Sequence, residues 1–478
     1  MPGLKKIDEF RWELPRQGAM RVPGIIYASE SMLPKILTDK ASEQVANVAT
    51  LPGIVGQSLA MPDVHWGYGF PVGGVAATDL KEGVISPGGI GFDISCGVRL
   101  LRSELNVDEV RPKLEPLMDA LFHAVPSGVG STGKIKLKDK EMRRVLEHGA
   151  VWAIEQGYGW PEDQDTIEDN GRLPGADPGI VSDRAIERGS DQLGTLGSGN
   201  HFLEIQWIDE IYDDAVAQIF GLFKNQIVIL IHTGSRGCGY QICDDFLKTM
   251  QRAAEKYQIK LPDKQLASAP LSSPEGKDYF AAMCAGANFA RANRQTITHW
   301  TRETFEKMFG RTARELGLSV LYDVCHNIGK IEEHQINGKK IKVCVHRKGA
   351  TRAFPAGHPE VPEKYRSVGQ PVLLPGSMGT ASYVLVGTEQ AMAETFGTTA
   401  HGAGRAMSRV QAAKRIQGRQ LQQDLKAQGI IVRTDSYKGL AEEAPFAYKD
   451  VSEVVEVCHG AGLSKKVARM RPLGVVKG

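Results

Sequence analysis

Asp93, Cys96, His201 and His232 each stand in a glycine-bordered segment, and as side-chain types they form a donor set for divalent metals. The segments are Gly-Gly-Ile-Gly-Phe-Asp-Ile-Ser-Cys-Gly at 88–97, Gly-Ser-Gly-Asn-His-Phe-Leu-Glu at 197–204 and Ile-His-Thr-Gly-Ser-Arg-Gly at 231–237. Backbone without side-chain bulk lets an ion or a phosphate come close. His326 adds a fifth donor. Thiolate and imidazole suit zinc, whereas the carboxylate admits manganese. Five donors exceed one tetrahedral site, so the expectation is two ions with a shared ligand, and a thiolate can bridge. Ions about 3.5–4 Å apart clamp the attacking and departing oxygens of a phosphoryl transfer.

A fourth segment, His-Gly-Ala-Gly-Arg at 401–405, offers a different chemistry. Neutral imidazole is a nitrogen nucleophile near neutral pH. Gly402 and Gly404 would let a phosphate crowd the ring, and Arg405 could balance developing charge. An acid on the other ring nitrogen would fix the tautomer; Asp63 is the candidate. The rival reading makes His401 a further metal ligand. Gly128 to Lys134 nearly spells a phosphate-binding loop, but Ile135 stands where a Ser or Thr would hold magnesium, so a tight loop is expected. The Lys-x-Asp-Gly motif of ordinary nucleic-acid ligases is absent.

Such residues need elements to hold them. The chain has 478 residues, 42% hydrophobic and 24% charged, enough apolar material for a large core. Candidate ligands scattered along the chain must converge, which argues for one interwoven domain over 1–478. Apolar runs at 227–231, 320–324 and 341–345 read as buried strands, the first two delivering His232 and His326 at their ends. Residues 141–155, 280–308 and 405–427 read as helices, the last with a basic face. The acidic, Pro/Gly-rich stretch 157–179 reads as a surface excursion. Seven cysteines without a Cys-x-x-Cys pair suit a reducing, cytoplasmic location, with all but Cys96 expected as buried small hydrophobes. Nothing resembles a membrane span or a secretory signal.

Taken together, these segments resemble the RtcB family of tRNA-splicing RNA ligases. The matching stretches are 61–74, 88–99, 197–204, 232–237, 326–327, 374–379, 401–405 and 475–478. The length suits the family's archaeal-like branch. The resemblance implies a single large α/β (α+β) domain with mixed β-sheets and outer helices. It implies a GTP- and Mn(II)-dependent ligase that joins RNA 2′,3′-cyclic phosphate or 3′-phosphate ends to 5′-hydroxyl ends through a histidine–GMP intermediate on His401, oriented by Asp63. Two manganese ions would be held by Asp93, Cys96, His201, His232 and His326, with Cys96 bridging. The GTP site would comprise Asn200, His201, Phe202, Leu203, Glu204, His326, Asn327, Pro375, Gly376, Ser377, Met378, Ser382, His401, Gly402, Ala403, Gly404, Tyr448 and Lys477.

Glu204 could accept from guanine N1 and N2 while Lys477 donates to O6. Arg236, Arg347, Lys348, Arg352 and Arg405 are candidates for RNA phosphate contacts. Partners would be RNA, including tRNA halves, and an activator such as archease, with the protein itself a monomer and no membrane. The competing functions are a two-metal phosphoesterase and a non-enzymatic, metal-containing RNA-binding factor.

Overall fold

The computed structural model describes residues 3–478. Two mixed sheets carry the chain. The smaller runs through seven strands in the order Lys5–Lys6, Arg11–Leu14, Gly24–Tyr27, Ile54–His65, Val72–Asp79, Lys339–Lys348, Asn327–Ile336. The larger follows Ser319–Cys325, Gly97–Asn106, Gln226–Thr233, Phe202–Ile211, Ser464–Lys477, Ser382–Gly387, Pro371–Leu374, with Ile431–Thr434 parallel to Ser464–Lys477. Val72–Asp79 thus lies beside Lys339–Lys348, and Phe202–Ile211 beside Ser464–Lys477, pairs distant in the sequence. One apolar cluster joins Trp12 to Leu463 across the smaller sheet, so both ends of the chain share a core. This is the α/β class with mixed sheets that the sequence suggests.

The central strands of the larger sheet are apolar on both faces. In Gln226–Thr233 every residue is buried, as a strand covered on each side requires. One cover is the helix Pro274–Phe309, which is a buried element rather than an outer one. Its polar residues are reconciled with burial locally. Thr296, Thr298, Thr301 and Thr304 donate to carbonyls four residues back, a bond that hides a hydroxyl inside a helix. Arg294 reaches Asp323 with two bonds of 2.8 and 2.9 Å, and Arg99 reaches the same carboxylate at 2.7 Å, all three side chains at most 1% exposed.

Three sequence expectations are corrected. Residues 141–155 form two helices, Asp139–His148 and Ala150–Glu155, broken at Gly149 with φ +60°. Residues 405–427 are likewise not one helix: Arg409–Ala413 and Gly418–Ala427 are separated by Gln417 in an extended conformation. The stretch 157–179 is not an excursion along its whole length, because buried arginines need counter-charges. Asp163 takes both terminal nitrogens of Arg302 at 2.6 and 2.7 Å, and Glu168 meets Lys330 at 3.2 Å. All seven cysteines are free and buried.

Neutralising one partner of a buried ion pair leaves an uncompensated charge. Asp323→Asn should therefore cost about 3–5 kcal/mol of unfolding free energy, measured by denaturant titration. Wild-type stability in that variant would show that the arginines find other partners.

Candidate metal and nucleotide site

The donors converge because they occupy one end of the larger sheet. Cys96 directly precedes Gly97–Asn106, His201 precedes Phe202–Ile211, His232 is the penultimate residue of Gln226–Thr233, and His326 follows Ser319–Cys325. Register then sets the neighbours: Val98 pairs His232, Phe202 pairs His232, and Gly97 pairs Cys325. The Cys96 sulfur lies 3.2 Å from His201 Nε2 and 3.3 Å from His232 Nε2. His232 and His326 present their Nε2 atoms to each other at 3.3 Å. His201 Nε2 also meets Asp93 Oδ2 at 2.8 Å. Two donor groups result, Cys96–His232–His326 and Asp93–Cys96–His201, with the thiol common to both.

Nitrogen atoms do not crowd together this way for packing alone. Among the described residues the Nδ1 atoms of His201, His232 and His326 have no hydrogen-bond partner, and all three rings turn Nε2 toward the other donors. Burial, reinforced by the neighbouring imidazoles, holds His232 and His326 well below the usual imidazole range, which keeps them neutral with a lone pair to give. Burial and the Asp93 charge push the Cys96 thiol up when no cation is present; a coordinated cation reverses that preference. The donor chemistry therefore fits metal coordination, with the Cys96 thiol common to both donor groups.

Around the donors the framework is tied down. Arg294 donates to the carbonyls of Ser95 and Thr233, each one residue from a donor. Asn293 bridges Thr195 and Gly234. Asp93 Oδ1 accepts from the Ser235 amide at 2.9 Å. Asn327 donates to the Asp93 carbonyl and accepts from the Gly349 amide, linking the 88–97 turn to the backbone beside His401.

His401 follows the short strand Thr398–Ala400, and its ring centre lies 4.7 Å from that of His326. Its Nδ1 donates to Asp63 Oδ2 at 2.6 Å, and the same oxygen accepts the His401 amide at 3.0 Å and that of Gly402 at 3.3 Å. Asp63 is fully buried, on the strand Ile54–His65. Gly404 has φ +71°, and a β-carbon there would stand 2.1 Å from the Asp63 carbonyl, so this close contact excludes any side chain. Lys449 buttresses the strand by donating to the carbonyls of Pro62 and Val64.

Asp93, Cys96, His232, His326 and His401 open on one cavity of about 880 Å³, whereas His201 is set back from its lining. Of the residues the sequence singled out, Asp93, Cys96, Asn200, Phe202, His232, His326, Asn327, Pro375, Gly376, Ser377, Met378, His401, Gly402, Ala403, Gly404, Arg405, Tyr448, Lys477 and Lys348 line it. Glu204, Ser382 and Asp63 stand behind its wall. Glu204 is buried; Gln206 Nε2 donates to it at 2.6 Å and to Ser382 Oγ at 3.1 Å. Burial pushes the Glu204 carboxyl up to about 8 and the Lys477 ammonium down to about 8. Leu203, one residue off that face, joins the apolar layer with Ile229 and Ile231.

The arginine candidates divide. Arg347 and Arg352 are corrected outright, being at most 1% exposed. Arg347 forms a two-pronged pair with Glu332 at 2.6 and 2.8 Å, while Arg352 bonds Glu360 and Gln370. A guanidinium so enclosed cannot reach a phosphate outside. Arg236 is held by Thr195, Ser131 and the Gly128 carbonyl. Lys348 donates to the carbonyls of Tyr68, Phe70 and Gly88, and burial lowers it to about 7. Arg405 is paired with Glu443 at 3.0 Å.

Glu443 is the residue that sequence reasoning missed. Fully buried, it also binds Arg409 at 2.9 Å and accepts from the Tyr448 hydroxyl. The only signal for it was the Arg405/Arg409 pair four residues apart in the sequence, which calls for a counter-charge.

Comparison with known proteins identifies the family. A family model described as tRNA-splicing ligase RtcB matches residues 44–478. The tRNA-splicing ligase RtcB of Thermococcus kodakarensis is 56% identical over 479 residues, covering 100% of this chain and 99% of its own. Those of Archaeoglobus fulgidus and Methanococcus maripaludis are 58% and 55% identical over 477 residues, each covering 99% of both chains. With the donor cluster, the buried Asp63–His401 pair and relatives matched end to end, the chain belongs to the RtcB family.

Proposed function

We propose that this chain is an RNA ligase that uses GTP and divalent manganese to join a 3′-phosphate or 2′,3′-cyclic phosphate end to a 5′-hydroxyl end, the reaction of tRNA splicing and of RNA repair. The observation that carries it is the Asp63–His401 pair. With Nδ1 donating to a buried carboxylate, Nε2 is the nitrogen left with a lone pair on the cavity side. A carboxylate on Nδ1 orients metal ligands and nucleophiles alike, but His401 belongs to neither donor group, and the pair parallels the orienting acid of a catalytic triad.

Asp93, Cys96, His201, His232 and His326 would hold two manganese ions, the sulfur serving both. When bound, the ions supply positive charge that offsets the triphosphate and draws electron density from its α-phosphorus. His401 Nε2 attacks that phosphorus and pyrophosphate departs, leaving GMP on the ring. Asp63 balances the positive charge that the imidazole then carries. A cyclic end is opened by water to a 3′-phosphate, whose oxygen takes GMP from His401. The 5′-hydroxyl attacks the activated phosphorus, expels GMP and loses its proton as the strand closes. Glu204 and Lys477 would read guanine: Glu204, protonated in the nucleotide-free protein, would give up that proton so that its carboxylate accepts from N1 and N2, while the Lys477 ammonium donates to O6. Adenine offers neither match, and each buried group left unpaired costs about 1–3 kcal/mol.

Incubation with α-labelled GTP and manganese separates this reading from a two-metal phosphoesterase or an RNA-binding factor. The wild-type chain should acquire an acid-labile GMP label, and His401→Ala should abolish it while retaining bound manganese; loss of the metal instead would make His401 a ligand. Cys96→Ala should lower bound manganese from two ions toward none by elemental analysis, and an unchanged stoichiometry would exclude a shared sulfur.

Glu204 makes a third prediction. Its native carboxyl titrates near 8 against an ordinary 4.5, so the folded protein keeps a proton that the unfolded chain loses between those values. Its contribution to stability must fall as pH rises from 4.5 to 8. In nucleotide-free protein, the stability advantage of Glu204→Gln over wild type should grow between pH 5 and 8 in denaturant titrations. A constant difference would place the carboxyl in its ordinary range.

A further inference from the structure

Tyr68, Phe92 and Tyr240 form a continuous aromatic run out of the cavity that the ligase chemistry described above does not use. Tyr68 and Phe92 line the cavity wall, Phe92 directly beside the donor Asp93. Their ring centres are 5.5 Å apart and nearly perpendicular, at 69°. Phe92 then stacks on Tyr240 at 5.0 Å and 24°, and the Arg188 guanidinium lies 5.2 Å from the Tyr240 centre. Exposure rises outward: Tyr68 and Phe92 are half-buried, while Tyr240, on the helix Arg236–Lys256, is 45% exposed. The outermost ring is thus presented to solvent.

The run is also held in place. Lys348 donates to the Tyr68 carbonyl, and the Gly69 amide donates to Gln265, so the inner end cannot swing away from the cavity. The cavity it leaves carries six basic side chains, Lys35, Lys348, Arg405, Arg409, Lys449 and Lys477, against three acids, Asp39, Asp93 and Glu443. A cationic trough leading to exposed aromatic faces is the arrangement that tracks single-stranded nucleic acid, with the phosphates following the charge and the bases stacking on the rings.

We propose that Tyr68, Phe92 and Tyr240, with Arg188 at the outer end, form a stacking shelf for unpaired nucleobases of an RNA strand whose terminus lies in the cavity. The proposal rests on the RNA ligase reading. It adds that the nucleotides next to the reacting end are gripped by their faces, independently of base identity, and that they must be unpaired.

The test uses full-length protein and two single-stranded oligoribonucleotides, one ending in a 3′-phosphate and one in a 5′-hydroxyl, each also made with an abasic site walked inward from that end. Fluorescence anisotropy gives Kd, and GMP labelling of His401 is followed in parallel. Tyr240→Ala should weaken binding of at least one oligonucleotide roughly tenfold, in line with the loss of one base–aromatic stack. Tyr240→Phe should restore affinity and Tyr240→Leu should not. At one abasic position wild type should lose affinity while Tyr240→Ala loses none, and the oligonucleotide showing this identifies the strand on the shelf.

Equal Kd values for wild type and Tyr240→Ala on both strands would overturn the proposal, as would an abasic penalty unchanged by the substitution. A blunt duplex weakened by the same factor would overturn it too, because paired bases cannot offer their faces. Absent GMP labelling in wild type sinks the ligase reading, whereas normal labelling with unaltered Kd sinks only the shelf.

Discussion

Two buried guanidinium groups sharing one buried carboxylate set the position of everything else in the site. Arg294 and Arg99 meet on Asp323, and Arg294 spends its remaining nitrogen on the carbonyls of Ser95 and Thr233. Those carbonyls belong to the turn carrying Cys96 and to the strand end carrying His232. An enclosed ion network of this kind adds little net stability over an apolar packing. What it does is fix two strand ends relative to the helix behind them to within hydrogen-bond tolerance, which is what donors from four separate strands require.

Much of the site was legible because its residues announce themselves locally. A histidine at the end of an apolar run, or beside paired glycines, is an unusual context that one sequence can reveal. The meeting of those residues is not local. Val98 faces His232 only because strands more than a hundred residues apart pair in that register, and no periodicity encodes it. Charge was the least legible property. Arg347 and Arg352 read as surface groups because their partners, Glu332, Glu168 and Glu360, lie on other elements. The acidic 157–179 stretch misled for the mirror-image reason. The helix expected at 405–427 failed on geometry: Gln417 leaves the helical region just before Gly418, and Ser408 with Gln411 caps a separate start, signals inside the run that periodicity overrode.

The cavity wall is electrically poised rather than saturated. Burial brings Lys348 to about 7 and both Lys449 and Lys477 to about 8, and among the described residues these ammonium groups bond only backbone carbonyls. An arriving polyanion favours their charged forms. Field strength in the cavity therefore rises with the charge of what enters it. The paired arginines of the fold, by contrast, keep their charge in every state.

The bond between Asp63 and His401 also dictates regiochemistry. Because the pros nitrogen is engaged by a carboxylate that already takes two backbone amides, an electrophile small enough to enter can be captured only at the tele nitrogen. Any adduct on this ring is consequently a single isomer, its position chosen by the fold before the reagent arrives.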